Sequence, residues 1–495
     1  MNDPARPSVR ARLGLDGPPH TWRLPAIETY PACIAFVQKP YGKLVLYALF
    51  ALVLKTLVLL SLEMTVGAAL VAMAGRRRFQ VACFVTGAML VIEPYWTNSA
   101  ELDQAILAQL GLRQSIDYRL LRVVTLILAV PLAACALILV KRFRNHPLGR
   151  RPVLLQHVVC FSLIGIASSH VFYGLAQAFL WSFVLLLAAY FWYFAYALAG
   201  QRKKHPPDLV AHFATFHPFF APHTMIPFGK GASDLKRVEA TEAAELAVTQ
   251  LKGLKLLMWA FVLRTVQWGF NWAVFVRGGV PTLPTAFREF LASGQVLEHS
   301  FLSVLANFPE HLLTLAVMGH AMVATARLAG FRILRNTYRP LRSRTIAEFW
   351  NRYTFYFKEL LVQFYFYPTY IRCFKNYPRL RLAFATFMAA GVGNFIFHLL
   401  LEDDTIVVRG VWATAVSLQA YAFYCVVLTG GIVVSQLRTR RAEPHASWWR
   451  RQFLPSLGVM AFYCFLTLFD GTRLFVGLGL HFEFLFRVLG LGPWL

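Results

Sequence analysis

Charge is scarce in this sequence. Asp, Glu, Lys and Arg make up 15% of its 495 residues, while 57% are hydrophobic and 15% aromatic; soluble domains carry about 25% charged residues. So few charges cannot coat a soluble protein of this length, and the composition fits neither a fibrous nor a disordered chain. Acid is scarcer than base: 24 acidic against 49 basic residues leave a net charge of +25. In a soluble chain that excess would point to nucleic acid. In so apolar a chain it points to Lys and Arg gathered in cytoplasmic loops, and no nucleic-acid partner is expected. Paired cysteines are also missing. Cys33, Cys83, Cys135, Cys160, Cys373, Cys425 and Cys464 lie far apart, without metal or redox spacing, and most fall in apolar runs. Walker-type phosphate loops, HExxH and nucleophile-elbow patterns are absent, which removes membrane ATPases and zinc proteases. The first 35 residues hold no apolar core, so no cleavable signal peptide is expected.

What the chain has in abundance is apolar length. A membrane-crossing helix needs ~20 largely apolar residues. Such runs occur near 44–62, 120–140, 153–173, 175–199, 254–276, 300–326, 382–401, 411–436, 454–470 and 474–491, with weaker ones at 64–74 and 79–93. The expected fold is all-α: a polytopic membrane protein with about 10–12 transmembrane helices, in which re-entrant or interfacial helices surround a central tunnel. A polar cytoplasmic tail over 1–40 precedes a single membrane domain over 41–495. Basic clusters at Arg76–Arg78, Lys141–Arg151, Arg202–Lys204, Arg327–Arg344, Arg372–Arg381 and Arg438–Arg451 are mostly separated by two runs, placing them on one side. The opposite loops carry acids: Glu101, Asp103 and Asp117, and Glu402, Asp403 and Asp404.

Only 27 residues separate Arg344 from Arg372, too few for two crossings. The segment 346–371 is therefore expected to be re-entrant or interfacial, with a cavity or protein covering its backbone. Residues 205–253 and 283–297 read as further interfacial stretches, the latter as an amphipathic helix on the outer face.

An ionisable residue inside an apolar run is a functional candidate by default. His398 is the sole such group between Phe384 and Leu401. Asn394, at i−4, shares its helix face and can orient the imidazole. An imidazole can take a proton from a hydroxyl and return it to a leaving group. His205, His212, His217 and His223 share a Pro-rich loop without thiolates or carboxylates at metal spacing, so no metal is expected. His311 and His320 are read as packed side chains or acceptor-side groups.

Over 344–401 the chain resembles the membrane-bound O-acyltransferase (MBOAT) family. That family has a Phe-Trp-x-Arg-Trp-His segment, then an aromatic stretch to a proline, then a membrane helix carrying a histidine. Here Phe349-Trp350-Asn351-Arg352-Tyr353-Thr354 takes the first place, Pro368 follows 14 residues after Thr354, and His398 comes 30 residues later. A fainter likeness reaches back to about residue 216, giving an MBOAT-like catalytic core over 204–410. The chain departs from the family pattern at Thr354, where His or Asn is usual, at Leu399, where Gly follows the histidine, and at Val362-Gln363, in place of an Arg-Asp pair.

The resemblance implies acyl transfer, most simply of acetyl, from an acyl-CoA or acyl-carrier thioester to a hydroxyl of an envelope glycan or lipid-linked acceptor, with no bound cofactor. His398, Thr354 and Asn394 would form the catalytic set. Asn351, Arg352, Trp350, Tyr353, Lys358 and Tyr365 would bind substrate, Arg352 and Lys358 meeting donor phosphates. The setting implied is the bacterial inner membrane with basic loops in the cytoplasm, amid membrane lipid and a periplasmic or membrane partner protein. Two alternatives stand beside it: a transporter of lipids or lipid-linked sugars, and an MBOAT-like scaffold without activity.

Overall fold

The computed structural model describes residues 26–58, 61–96, 118–169, 171–222, 224–438, 447–470 and 476–491. The acidic loop with Glu101, Asp103 and Asp117, and His223, lie outside them. Among the described residues the chain is helical throughout, and its nearest approach to a sheet is one isolated bridge between Glu239 and Phe331.

Five helices are long and apolar enough to cross a membrane: Arg119–Arg142, Ala243–Arg277, Ser300–Leu328, Pro378–Leu401 and Gln419–Leu437. Two sharply bent pairs bring the count to seven, Pro31–Gln38 with Pro40–Lys55 at 97° and Gly174–Ala189 with Phe191–Gln201 at 66°. Ten to twelve runs were expected, and the difference has local causes. Ser61–Met73 and Pro152–Ser168 are apolar but too short. The run 411–436 is divided at Leu418, where one helix ends and Gln419–Leu437 begins. The last two runs yield helices of 13 and 11 residues, Leu454–Leu466 and Leu478–Val488. In the other direction, the charged stretch before 254 and the run after it form one continuous helix, because no Gly-Pro breaker divides them.

Starts and stops follow local chemistry. Proline occupies the first turn at Pro31, Pro40, Pro152 and Pro378, where its missing N–H costs nothing. Leu283–Ser293 begins with the Thr282 hydroxyl accepting from the Thr285 amide and ends at Gly294 in the left-handed region, φ 70°. It buries Leu283, Ala286, Phe287 and Phe290, the spacing of one apolar face. Four segments widen into π-helical turns, among them Val362–Phe366 and Phe387–Gly393.

Two apolar cores result. One gathers residues 152–196, the Leu283–Ser293 helix, 349–365, 389–432 and 459–484; the other gathers 37–85, 214–260 and 317–356. The Ser300–Leu328 helix belongs to both, contributing Val304, Phe308 and Leu312 to the first and Val317 to Leu328 to the second. It lies along the Ala243–Asn271 helix so closely that a Cβ on Gly253 would stand 2.9 Å from the Ala324 carbonyl oxygen. Such close backbone approach is how helices pack where water does not drive association.

Candidate active site

His398 ends a helix whose neighbour is the Gln419–Leu437 helix. Their register is fixed by the Thr386 hydroxyl donating to Gln436 Oε1 at 2.9 Å, and by the Tyr421 hydroxyl donating to Asn394 Oδ1 at 3.0 Å. The second bond brings the Tyr421 ring over the His398 imidazole, with centroids 3.8 Å apart and planes tilted by 31°. Asn394 thus acts on His398 through Tyr421 rather than by a direct bond. Its Nδ2 is buried and has no partner.

Three other helices bring groups to the same depth. His311 precedes Arg327 by 16 residues, His398 follows Arg381 by 17, and Tyr421 precedes Arg438 by 17. At 1.5 Å per residue each stands ~24–26 Å from the basic end of its helix. Asp470 follows Arg451 by 19 residues, just beyond the Leu454–Leu466 helix. His311 lies within electrostatic range of both His398 and Asp470. Asp470 in turn acts on Tyr353, Tyr421 and Tyr424. His398, His311, Asp470 and Tyr353 are each only partly covered although protein surrounds them. Side chains in the middle of a bundle that keep accessible surface face an interior void. Among the described residues, no three His, Cys, Asp or Glu side chains are arranged to hold a metal.

The Ile346–Tyr353 helix supplies the other wall. Thr345 Oγ1 accepts from the Glu348 amide at 3.0 Å, and Glu348 Oε2 accepts from the Arg344 amide at 2.8 Å, a near relative of the capping box. Phe349 packs on Tyr463 with centroids 4.0 Å apart. Tyr353 is tied down by its carbonyl, which accepts from the Thr337 hydroxyl at 2.8 Å. Trp350 is buried and meets Phe357 edge-on, and Phe357 meets both Phe397 and His398, so a chain of rings links this helix to the histidine.

The remaining expected residues divide by place. Thr354 is buried in the turn after Tyr353, and its hydroxyl makes no hydrogen bond, to His398 or to any other residue. Asn351 is on the exposed face of its helix. Arg352 is paired with Glu348 at 2.6 Å. Lys358 shares the Glu359 carboxylate with Lys230, and both ammonium groups lie over the Phe355 ring, at 4.8 and 5.2 Å. Tyr365 stands apart from the void: its hydroxyl is 2.7 Å from His157 Nε2, while His157 Nδ1 is 2.7 Å from the Val153 carbonyl. The carbonyl fixes Nδ1 as the protonated nitrogen, so the tyrosine donates to Nε2.

Two members of the cluster escaped the sequence reading. Asp470 closes an apolar run and was passed over as its edge, although it is the sole acid between Arg451 and His481; that isolation was the available signal. His311 was noted, but nothing in sequence joins it to residues 87 and 159 positions away. A search against protein-family models finds no match, and a search of curated proteins finds none either.

Proposed function

We propose that the chain is a membrane O-acyltransferase with His398 as general base. The observation that carries this reading is the His398 imidazole, held under the Tyr421 ring and partly uncovered in the bundle interior, with His311 and Asp470 beside it. A hydroxyl of the acceptor attacks the carbonyl carbon of a thioester, forming the O–C bond as its proton passes to His398. The C–S bond then breaks, and His398 returns the proton to the departing sulfur, leaving an ester, a thiol and the original imidazole. The Asn394 amide and Thr354 hydroxyl, both buried donors without partners, are suited to the charge that develops on the carbonyl oxygen. Asp470 orients His311, the second proton-carrying group of the site.

The depth of the cluster assigns the two substrates to opposite mouths. With a hydrocarbon layer about 30 Å thick, a histidine ~26 Å from the basic end lies nearer the acidic side, where Glu402 stands. The glycan or lipid-linked acceptor enters there, and the acyl donor reaches the site from the basic, cytoplasmic face of a bacterial inner membrane. The short helices over 346–372 are the re-entrant wall of the tunnel in this reading.

The test compares ester-linked acyl groups on envelope glycans and lipids from cells with wild type or His398→Ala at matched membrane levels. A general base is worth roughly 10²–10⁴-fold in rate, so the ester signal should all but vanish. Unchanged esters would overturn the assignment. The same cluster of His398, His311 and Asp470 also suits a proton relay, which favours transport as the second reading; substrate flux into vesicles without any acyl donor would select it.

A further inference from the structure

Away from the His398 cluster, the fold gathers Arg144, Asn145, Arg150, Arg151, Arg202 and Arg372 around one pocket of about 490 Å³. The five arginines come from four separate stretches of chain and all are exposed. Arg202 Nη1 donates to the Arg150 carbonyl, tying two of those stretches together. Among the described residues no carboxylate forms an ion pair with any of the five guanidinium groups. Loop sidedness requires basic residues on one face; it does not require five of them to converge on a concavity.

The pocket opens onto a second cavity of different character. A groove of about 590 Å³, with almost wholly apolar walls, runs between the Arg78–Trp96, Tyr118–Arg142, Pro152–Ser168 and Gly174–Ala189 helices. Val140, Pro152 and Leu198 line it, and Arg144, Arg151 and Arg202 follow them by four, one and four residues. Four residues of helix rise ~6 Å, so the arginines crown the end of the groove. Along the Tyr118–Arg142 helix the groove extends from Leu126 to Val140, ~21 Å, longer than the ~15 Å of one bilayer leaflet's hydrocarbon. The polar groups within it are turned inward: Gln156 Nε2 donates to the Phe191 carbonyl at 2.8 Å, and Thr86 Oγ1 to the Ala214 carbonyl at 3.3 Å.

We propose that this joined pocket and groove bind an anionic phospholipid of the surrounding bilayer, its phosphate among the arginines and its acyl chains in the groove. Arginine is the side chain best matched to phosphate oxygens, and basic pockets between membrane helices select anionic headgroups. A free anion would have no use for the groove, and a zwitterionic lipid little use for five unopposed guanidinium groups. The site is separate from His398: the Trp192 ring, stacked on Phe397, and the His157–Tyr365 pair stand between. It is therefore independent of the acyl-transfer reading.

The test uses the full chain, purified and stripped of lipid, with retention followed by native mass spectrometry. The probes are dioleoylphosphatidylglycerol, dioleoylphosphatidylcholine and soluble glycerol phosphate. The wild type should hold phosphatidylglycerol in preference to phosphatidylcholine, and glycerol phosphate should not displace it. Replacing three exposed arginines together (Arg144→Gln, Arg150→Gln, Arg202→Gln) should weaken phosphatidylglycerol by roughly 100-fold and abolish the preference. Filling the groove with Ala133→Phe and Ala136→Phe should weaken both lipids while leaving the arginines intact; Ala136→Leu serves if the larger pair does not fold. Equal retention of the two lipids overturns the proposal. So does displacement by glycerol phosphate at equal concentration, or full lipid retention in a folded groove variant.

Discussion

Adding one methyl group at Gly393 tests how tightly the wide turn before His398 is packed. A Cβ there would stand 2.6, 2.8 and 2.9 Å from Cδ2, Cγ and Cε2 of the Tyr365 ring, where carbon pairs prefer ~3.5–4.0 Å. The ring must retreat by about 1 Å, and it has little room: Tyr365 is buried, Trp192 lies against it, and its hydroxyl is committed to His157. Overpacking of this kind costs ~1–3 kcal/mol, and a strained or broken hydrogen bond ~1 more. Helix propensity returns up to ~1 kcal/mol in favour of alanine. The net expectation for Gly393→Ala is a loss of about 2 kcal/mol. Gly430→Ala is the control, since an added Cβ there meets nothing within 4 Å; it should be neutral or slightly stabilising. Unfolding in mixed micelles by dodecyl sulfate titration, followed by tryptophan fluorescence, reads both. Tyr365→Leu should make the Gly393→Ala change less costly, so the double variant should be more stable than the sum of the singles. Equal midpoints for Gly393→Ala and Gly430→Ala would refute the reasoning.

Three further outcomes follow from other sites. Arg78 is 3% exposed and bonds Glu239 Oε1 at 2.9 Å and the Ala240 carbonyl at 2.8 Å; Glu239→Ala strands that charge and should cost ~3–5 kcal/mol in the same titration, more than Arg78→Met, which removes it. Burial pushes the His212 imidazole down to about 4, from an ordinary 6.5, in the loop before the Ala243–Asn271 helix. The unfolded chain therefore takes up that proton first as pH falls. His212 should cost the fold roughly 3 kcal/mol progressively between pH 6.5 and 4, and a melting curve series in which His212→Gln shows the same acid sensitivity as wild type would contradict this. Asp470→Asn should lower ester formation by roughly 10²-fold while leaving the unfolding midpoint near wild type, because the group serves proton handling rather than packing; full activity would remove Asp470 and His311 from the site.

Composition alone announced a helical membrane protein, because apolar excess and charge poverty act everywhere along the chain. The amphipathic face of Leu283–Ser293 was equally readable, since its spacing is local. His398 stood out as a lone imidazole in an apolar run, and the Phe349–Thr354 segment by its aromatics. What local pattern could not supply was partnership. Arg352 and Lys358 read as free cations, yet Glu348 and Glu359 neutralise them, the second shared with Lys230 from 128 residues earlier. Tyr365 read as a tunnel wall, and its partner His157 is 208 residues distant. Hydropathy likewise counts apolar residues but not bends: Leu418 divides one run, and the Tyr190 corner folds another by 66°.

The π-helical turn at Phe387–Gly393 makes the bearing of His398 a matter of residue count. Such turns carry one residue more than the α pitch accommodates. Removing any single residue from the turn would return the backbone to that pitch and rotate everything beyond it by about 100°. His398 would then swing off the Tyr421 ring, with every side chain of the helix still present. A one-residue deletion here is thus more damaging than most substitutions. Two chains with the same histidine in space can, for the same reason, place it one column apart when their letters are aligned.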